Sequence, residues 1–255
     1  MNRPLANPIY LLAFSEQLPF TALLNKLFGH QAAQLAGAFG VHADAHAPIP
    51  NWIAMQIFVV LALIAFFTLA RTRLSVESPG GIQHTVEGIH GFISGLGKEL
   101  IGHGYEPFVP YLLSLGMFIL TMNLIGLVPG FESPTANPAV PLGCAVVTFI
   151  YYHYQGIRHQ GAHYIHQFIG PVIFLAPLMF VIEVVSHTAR VLSLTVRLFA
   201  NIFAGDMLTL AFFSLIPIGV PVVFLALHLG VSLIQTYIFV LLATVYLAGA
   251  ISEEH

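Results

Sequence analysis

Residues 171–215 read PVIFLAPLMFVIEVVSHTARVLSLTVRLFANIFAGDMLTLAFFSL, and this stretch decides the fold. It is apolar along its length, yet it carries Glu183, His187, Arg190, Arg197, Asn201 and Asp206. A perpendicular membrane span needs roughly 20 residues. This run has about twice that and would be roughly 65 Å long as a helix. Pro217 and Pro221 break it. A second apolar run, 222–251, holds His228, Ser232 and Gln235 and would be roughly 45 Å long. Upright, both overshoot a hydrocarbon core about 30 Å thick. A long, strongly tilted hairpin over 168–251, nearly in the membrane plane, is the economical solution.

The composition fits a chain that lives in lipid. Of 255 residues 57% are hydrophobic and only 7% are charged, with mean hydropathy +0.86. Soluble domains carry roughly 25% charged residues. So few charges cannot cover a water-exposed surface. A net charge of −3 leaves no basic face for nucleic acid. Cys144 is the only cysteine, which excludes an internal disulfide and a cysteine-cluster metal site.

The remaining segments are read outward from the hairpin. Residues 1–50 form an extramembrane lead; the apolar patch at 9–14 is cut short by Glu16 and Pro19, so no signal peptide is expected. Residues 51–255 form the membrane domain. Its first span is 51–73, with Trp52 at one interface and Arg71 and Arg73 at the other, which the positive-inside rule makes cytoplasmic. Residues 82–102 place Val86, Ile89, Phe92, Ile93, Leu96 and Leu100 near one face, the pattern of an amphipathic surface helix. A second span covers 107–129 and a third 138–155. The stretch 151–167 (YYHYQGIRHQGAHYIHQ) reads as a cytoplasmic loop. The fold class is therefore an all-α polytopic membrane protein with about five membrane helices. An odd number of crossings puts the C-terminus in the cytoplasm.

Ionisable groups at bilayer depth cost at least roughly 2.5 kcal/mol each and mark ion paths or buried pairs. On a wheel of about 100° per residue with Glu183 at zero, His187 falls near 40°, Arg190 near 340°, Arg197 near 320° and Asn201 near zero. These five form one stripe about 27 Å long. Asp206 lies near 140°, about a third of a turn away, so its contacts should differ. His228, Ser232 and Gln235 share a face of the last helix within about 60°, and a hairpin lets them meet the first stripe or Asp206.

Carboxylates and imidazoles exchange protons, so Glu183, Asp206, His187 and His228 can relay them or hold water. Arginine keeps its proton, so Arg197 is a fixed charge that repels a mobile cation and lowers the pKa of a carboxylate beside it. Structural roles stand beside these. Arg190 and Glu183 can pair at i, i+7, Asp206 can be interfacial, and His228 can be a satisfied core histidine. Arg197 has no carboxylate at i±3 or i±4.

SLTVRLFANIFAGDMLTL (193–210) and HLGVSLIQTYIFVLLATVYLAGAISEEH (228–255) resemble subunit a of the rotary F-type ATP synthases, and the resemblance extends over most of 52–255. The family's arginine corresponds to Arg197 within R-L-F-x-N, and Asn201 is that pattern's asparagine. Asp206 stands where many bacterial members have glutamate. His228, Gln235 and Glu183 match family positions; His187 and Arg190 do so less regularly. The resemblance implies two proton half-channels, with Asp206, His228 and Glu183 on the far side and Arg197 separating them beside a ring of c subunits. It also implies peripheral-stalk b subunits, protons or Na⁺ as the carried ion, no cofactor, and no catalytic centre in this chain, which lacks a P-loop. The SEEH ending and the lead look bacterial, implying the inner (plasma) membrane; a mitochondrial inner membrane is the alternative.

Two rivals predict other features. A secondary transporter calls for paired broken helices and a midplane substrate pocket. An intramembrane hydrolase calls for a nucleophile with its base, or a metal triad. The histidine groups His42/His46 with Asp44 and His159/His163/His166 lie in expected loops or interfaces without an H-E-x-x-H, so no metal site is expected.

Overall fold

Hydrocarbon offers a backbone no water to satisfy its N–H and C=O groups, so long apolar runs fold as helices. The computed structural model describes residues 18–38, 48–72, 80–128, 130–161, 164, 176–215 and 219–252. Within them are seven α-helices and no strand. They are α1 (Pro19–Ala38), α2 (Asn51–Thr72), α3 (Gly81–Leu100), α4 (Val109–Ile125), α5 (Ala139–Gln160), α6 (Ala176–Leu215) and α7 (Val220–Ile251). The chain is an all-α polytopic membrane protein. His42, Asp44, His46, His163, His166, Pro217 and the start of the hairpin at 168 lie outside the described residues, as do most of residues 1–50 and the final Glu253–His255.

Four segments are long and apolar enough to cross a bilayer: Asn51–Thr72, Glu106–Ile125, Ala176–Phe213 and Val222–Ile251. About five membrane helices were expected. The difference is α5, whose second half is YYHYQGIRHQ. That polarity suggested a loop from residue 151, but the helix runs on to Gln160. Tyr152, Gln155 and Gly156 are spaced to share one face, and all three are buried. Packing on that face outweighs the polarity of the other. The helix stops at Gly161, whose φ of +58° favours glycine.

α3 is amphipathic as its sequence suggests, with Ile93, Leu96 and Gly97 buried and Ile89 and Leu100 partly so. It packs on α4 and α7, and Phe92 lies 5.8 Å from the Tyr237 ring of α7. The core lies where α4, α5, α6 and α7 meet, around Leu112, Ile119, Tyr152, Leu198, Phe239 and Leu247.

α6 and α7 form an antiparallel pair. Asp206 meets His228, Asn201 meets Gln235 and Arg190 meets Tyr246, so the register holds as one helix ascends and the other descends. With 40 and 32 residues they are roughly 60 and 48 Å long. The same register carries the start of α6 past the end of α7. There Leu178, Phe180, Val181 and Ile182 are each more than half exposed.

The loop between α4 and α5 is pinned to the bundle by buried polar groups. Thr135 Oγ1 donates to Asn123 Oδ1 (2.7 Å), and Asn123 Nδ2 donates to Thr236 Oγ1 of α7 (3.2 Å). Ser133 Oγ donates to the Met122 carbonyl (3.0 Å). A satisfied buried network of this kind fixes one geometry.

Candidate functional site in the α6–α7 seam

The two runs that decide the fold also bring the ionisable groups together. Near the α6–α7 turn, His228 Nδ1 lies 3.5 Å from Asp206 Oδ1. The approach depends on Gly205, because a Cβ there would sit 2.8 Å from His228 Nδ1. His228 is buried, and its Nε2 has no hydrogen-bond partner among the described residues. Asp206 and His228 line a cavity of about 550 Å³ shared with Glu132, Asn137, Thr209 and Trp52. It lies at the end of the molecule where α2 begins, opposite Arg71.

Glu132 holds a place in that cavity that the sequence did not reveal. Asn51 Nδ2 donates to its Oε1 at 3.1 Å. Burial pushes the Glu132 carboxyl above its ordinary range, and the Asn51 bond opposes this in part. Only its status as one of 11 acidic residues in a chain of 255 hinted at a role.

One helical turn and a half toward the other end, Asn201 Nδ2 donates to Gln235 Oε1 at 2.8 Å. Ser232 is fully buried one turn from Gln235. Arg197 is half-buried at the edge of α6, where Leu194 and Leu198 point inward and Val196 outward. Its Nη2 donates to Ser193 Oγ at 3.2 Å. Among the described residues, both ion pairs join histidine to a carboxylate, and Arg197 belongs to neither.

Further along α6, His187 Nε2 lies 3.1 Å from Glu183 Oε1. Its Nδ1 shares a 2.8 Å hydrogen bond with the Tyr152 hydroxyl of α5. The Tyr164 hydroxyl bonds His153 Nδ1 at 2.6 Å, and the His153 and His187 rings are 4.7 Å apart. Burial pushes the Tyr164 phenol up to about 12. Arg190 lies 5.1 Å from the Tyr246 ring centroid, a cation–π contact.

The residues of the expected stripe meet several different partners. Glu183 joins His187 at i+4 rather than Arg190 at i+7, since one helical turn is within side-chain reach and two are not. Glu183 also lies with the α5 cluster, away from the Asp206–His228 cavity with which the resemblance groups it. Tyr152, His153 and Tyr164 are not legible as site residues in the sequence, because 151–167 reads as a loop. Among the described residues no group of three His, Cys, Asp or Glu side chains is placed to hold a metal ion.

Fold and seam together define an all-α polytopic membrane protein with ionisable side chains along two long packed helices. Residues 53–248 match the family described as ATP synthase A chain. The chain is 55% identical over 241 residues to ATP synthase subunit a of Koribacter versatilis (strain Ellin345), covering 94% of this chain and 98% of that protein. It is 46% identical over 222 residues to ATP synthase subunit a of Solibacter usitatus (strain Ellin6076), covering 87% and 95%. Identity to ATP synthase subunit a of Geotalea uraniireducens (strain Rf4) is 40% over 213 residues, covering 84% and 90%. The chain belongs to the ATP synthase A chain family.

Proposed function

We propose that this chain is the stationary ion-conducting subunit in the membrane sector of a rotary F-type ATP synthase. The observation that carries the reading is Arg197: a half-buried cation at the edge of α6 with no carboxylate partner among the described residues. Beside it the exposed residues Ser193, Ala200 and Ala204 are small, which lets another helix approach closely. A passing carboxylate on a ring of c subunits supplies the missing partner. Its pKa falls beside the guanidinium, so it arrives at Arg197 without its proton.

Protons come from the side of the 550 Å³ cavity and pass Asp206 and His228 to a ring carboxylate. After nearly a full turn they leave near Arg197, past exposed Ser193 and toward His187 and Glu183 further along α6. Arg190 holds that end of α6 onto α7 through Tyr246. Arg197 cannot release its proton, so it blocks a direct leak between the two halves. Each proton crossing 100 mV supplies about 2.3 kcal/mol. ATP chemistry belongs to other subunits, and this chain is non-catalytic. Its other partners are the peripheral-stalk b subunits and the lipid of a bacterial inner membrane, with the C-terminus cytoplasmic.

Co-purification tests the assignment. Gentle extraction should recover the chain with a ring of small helical-hairpin subunits. A Val196→Cys variant, at a position 58% exposed beside Arg197, should cross-link to cysteines placed on the ring's outer helices. A chain that conducts ions alone contradicts the reading.

A further inference from the structure

We propose that Glu132, on the loop between α4 and α5, is the outermost proton-accepting group of the cavity and passes protons inward to Asp206. The inference rests on the proposed function and adds to it a residue outside the two long helices.

Three observations place Glu132 there. It lines the same cavity as Asp206 and His228, beside exposed Gly130 and Phe131 at the protein surface. Its position is fixed from both sides. Asn51 at the start of α2 holds Oε1, while Ser133 and Thr135 tie the next residues to α4. Asn137 and Thr209 add polar side chains to the same lining. A cavity of about 550 Å³ lined by two carboxylates, an imidazole and the side chains of Asn137 and Thr209 has the room and the partners to hold water.

The transfer balances simply. A proton from water at the cavity mouth converts the Glu132 carboxylate to the acid. The acid gives that proton through cavity water to the Asp206 carboxylate, and Glu132 returns to its charged form. The charged and titratable groups facing Glu132 in the cavity are Asp206 from α6 and His228 from α7, with neutral Asn51 from α2. The upward push that burial gives the Glu132 carboxyl brings it nearer to the range in which a proton is both taken and released.

A purely anchoring role makes a different prediction. In Glu132→Gln, the side-chain oxygen still accepts from Asn51, but no proton can be relayed. We expect this variant to reach the membrane in normal amount with its ring. Its passive proton conductance, measured in vesicles stripped of the ATP-hydrolysing sector, should fall about tenfold. That is less than the roughly hundredfold loss typical of an obligatory proton-transfer group, because cavity water still reaches Asp206. Glu132→Asp should retain most of the conductance. Asn51→Ala, which removes the anchor and keeps the carboxylate, should conduct better than Glu132→Gln.

Wild-type conductance in Glu132→Gln would overturn the inference. If that variant fails to assemble, an Asp variant that assembles but conducts no better than Glu132→Ala would also overturn it. Arg197→Ala measured in parallel separates the two levels. Normal ATP-driven pumping there sinks the proposed function, whereas blocked pumping with a normal Glu132→Gln sinks only the role of Glu132.

Discussion

Asn201 and Gln235 join the two long helices by a 2.8 Å hydrogen bond one helical turn from Arg197. Interhelical side-chain bonds in membranes are worth about 0.6 kcal/mol on average and up to about 1.7. Gln235→Ala should lose about that much and lower ATP-driven pumping, because the seam beside Arg197 is no longer held. Exchanging the pair, Asn201→Gln with Gln235→Asn, keeps the combined reach and should recover part of both. Heat-induced aggregation of the purified complex and acidification of vesicles read the two effects. An exchange no better than Gln235→Ala alone would show that the bond itself does not matter.

Gly205 is a second sensitive point. An alanine Cβ there would fall 2.8 Å from His228 Nδ1 and push the imidazole away from Asp206. Gly205→Ala should therefore reduce proton conductance more than Gly230→Ala, where a Cβ meets nothing within 4 Å. Equal conductance in the two variants would mean that the Asp206–His228 approach is not used.

The α5 cluster should contribute stability as well as position. Tyr152→Phe keeps the ring's volume and removes the hydroxyl bonded to His187 Nδ1. Losing a buried side-chain hydrogen bond costs about 0.5–1.5 kcal/mol net. The variant complex should aggregate at a lower temperature than wild type. An unchanged aggregation temperature would show that water replaces the hydroxyl without loss.

Glu132 gives a pH-dependent signature separate from conductance. Its carboxyl is raised by burial, so the fold favours the protonated form. Above the raised value, holding the charged form in the cavity beside Asp206 works against the assembled state. Below the ordinary carboxylate value of 4.5 the group is protonated whether folded or not, and that effect is gone. Glu132→Gln carries no such charge. Its complex should resist heat better than wild type at alkaline pH, and the difference should close as the pH falls. A constant difference across pH would rule out ionisation as the cause.

Much of the architecture was legible in the chain because lipid imposes strong rules. Runs too long for one perpendicular span indicated the hairpin, and the helical period placed Glu183, His187 and Asn201 on one face. Even the Glu183–His187 contact was implicit in their i, i+4 spacing. That Asp206 and His228 lie near each other was implied by the resemblance, but their 3.5 Å approach was not legible, because it depends on the register of two helices and on the space left by Gly205. Tyr152 was hidden by composition: YYHYQGIRHQ looks like a loop until its buried face is known. Glu132 was hidden by sequence distance, since its partners Asn51, Asp206 and His228 come from three other helices. The resemblance pointed to Arg197, Asn201, Asp206, His228, Gln235 and Glu183 but not to the loop carboxylate.

The most direct test concerns Arg197 itself. Arg197→Ala should be assembled with its ring in vesicles, then assayed for ATP-driven proton pumping and for passive conductance. Loss of pumping, with passive conductance retained or raised, is the result this mechanism requires, because a fixed charge no longer separates the two half-paths. Pumping at the wild-type rate would contradict it.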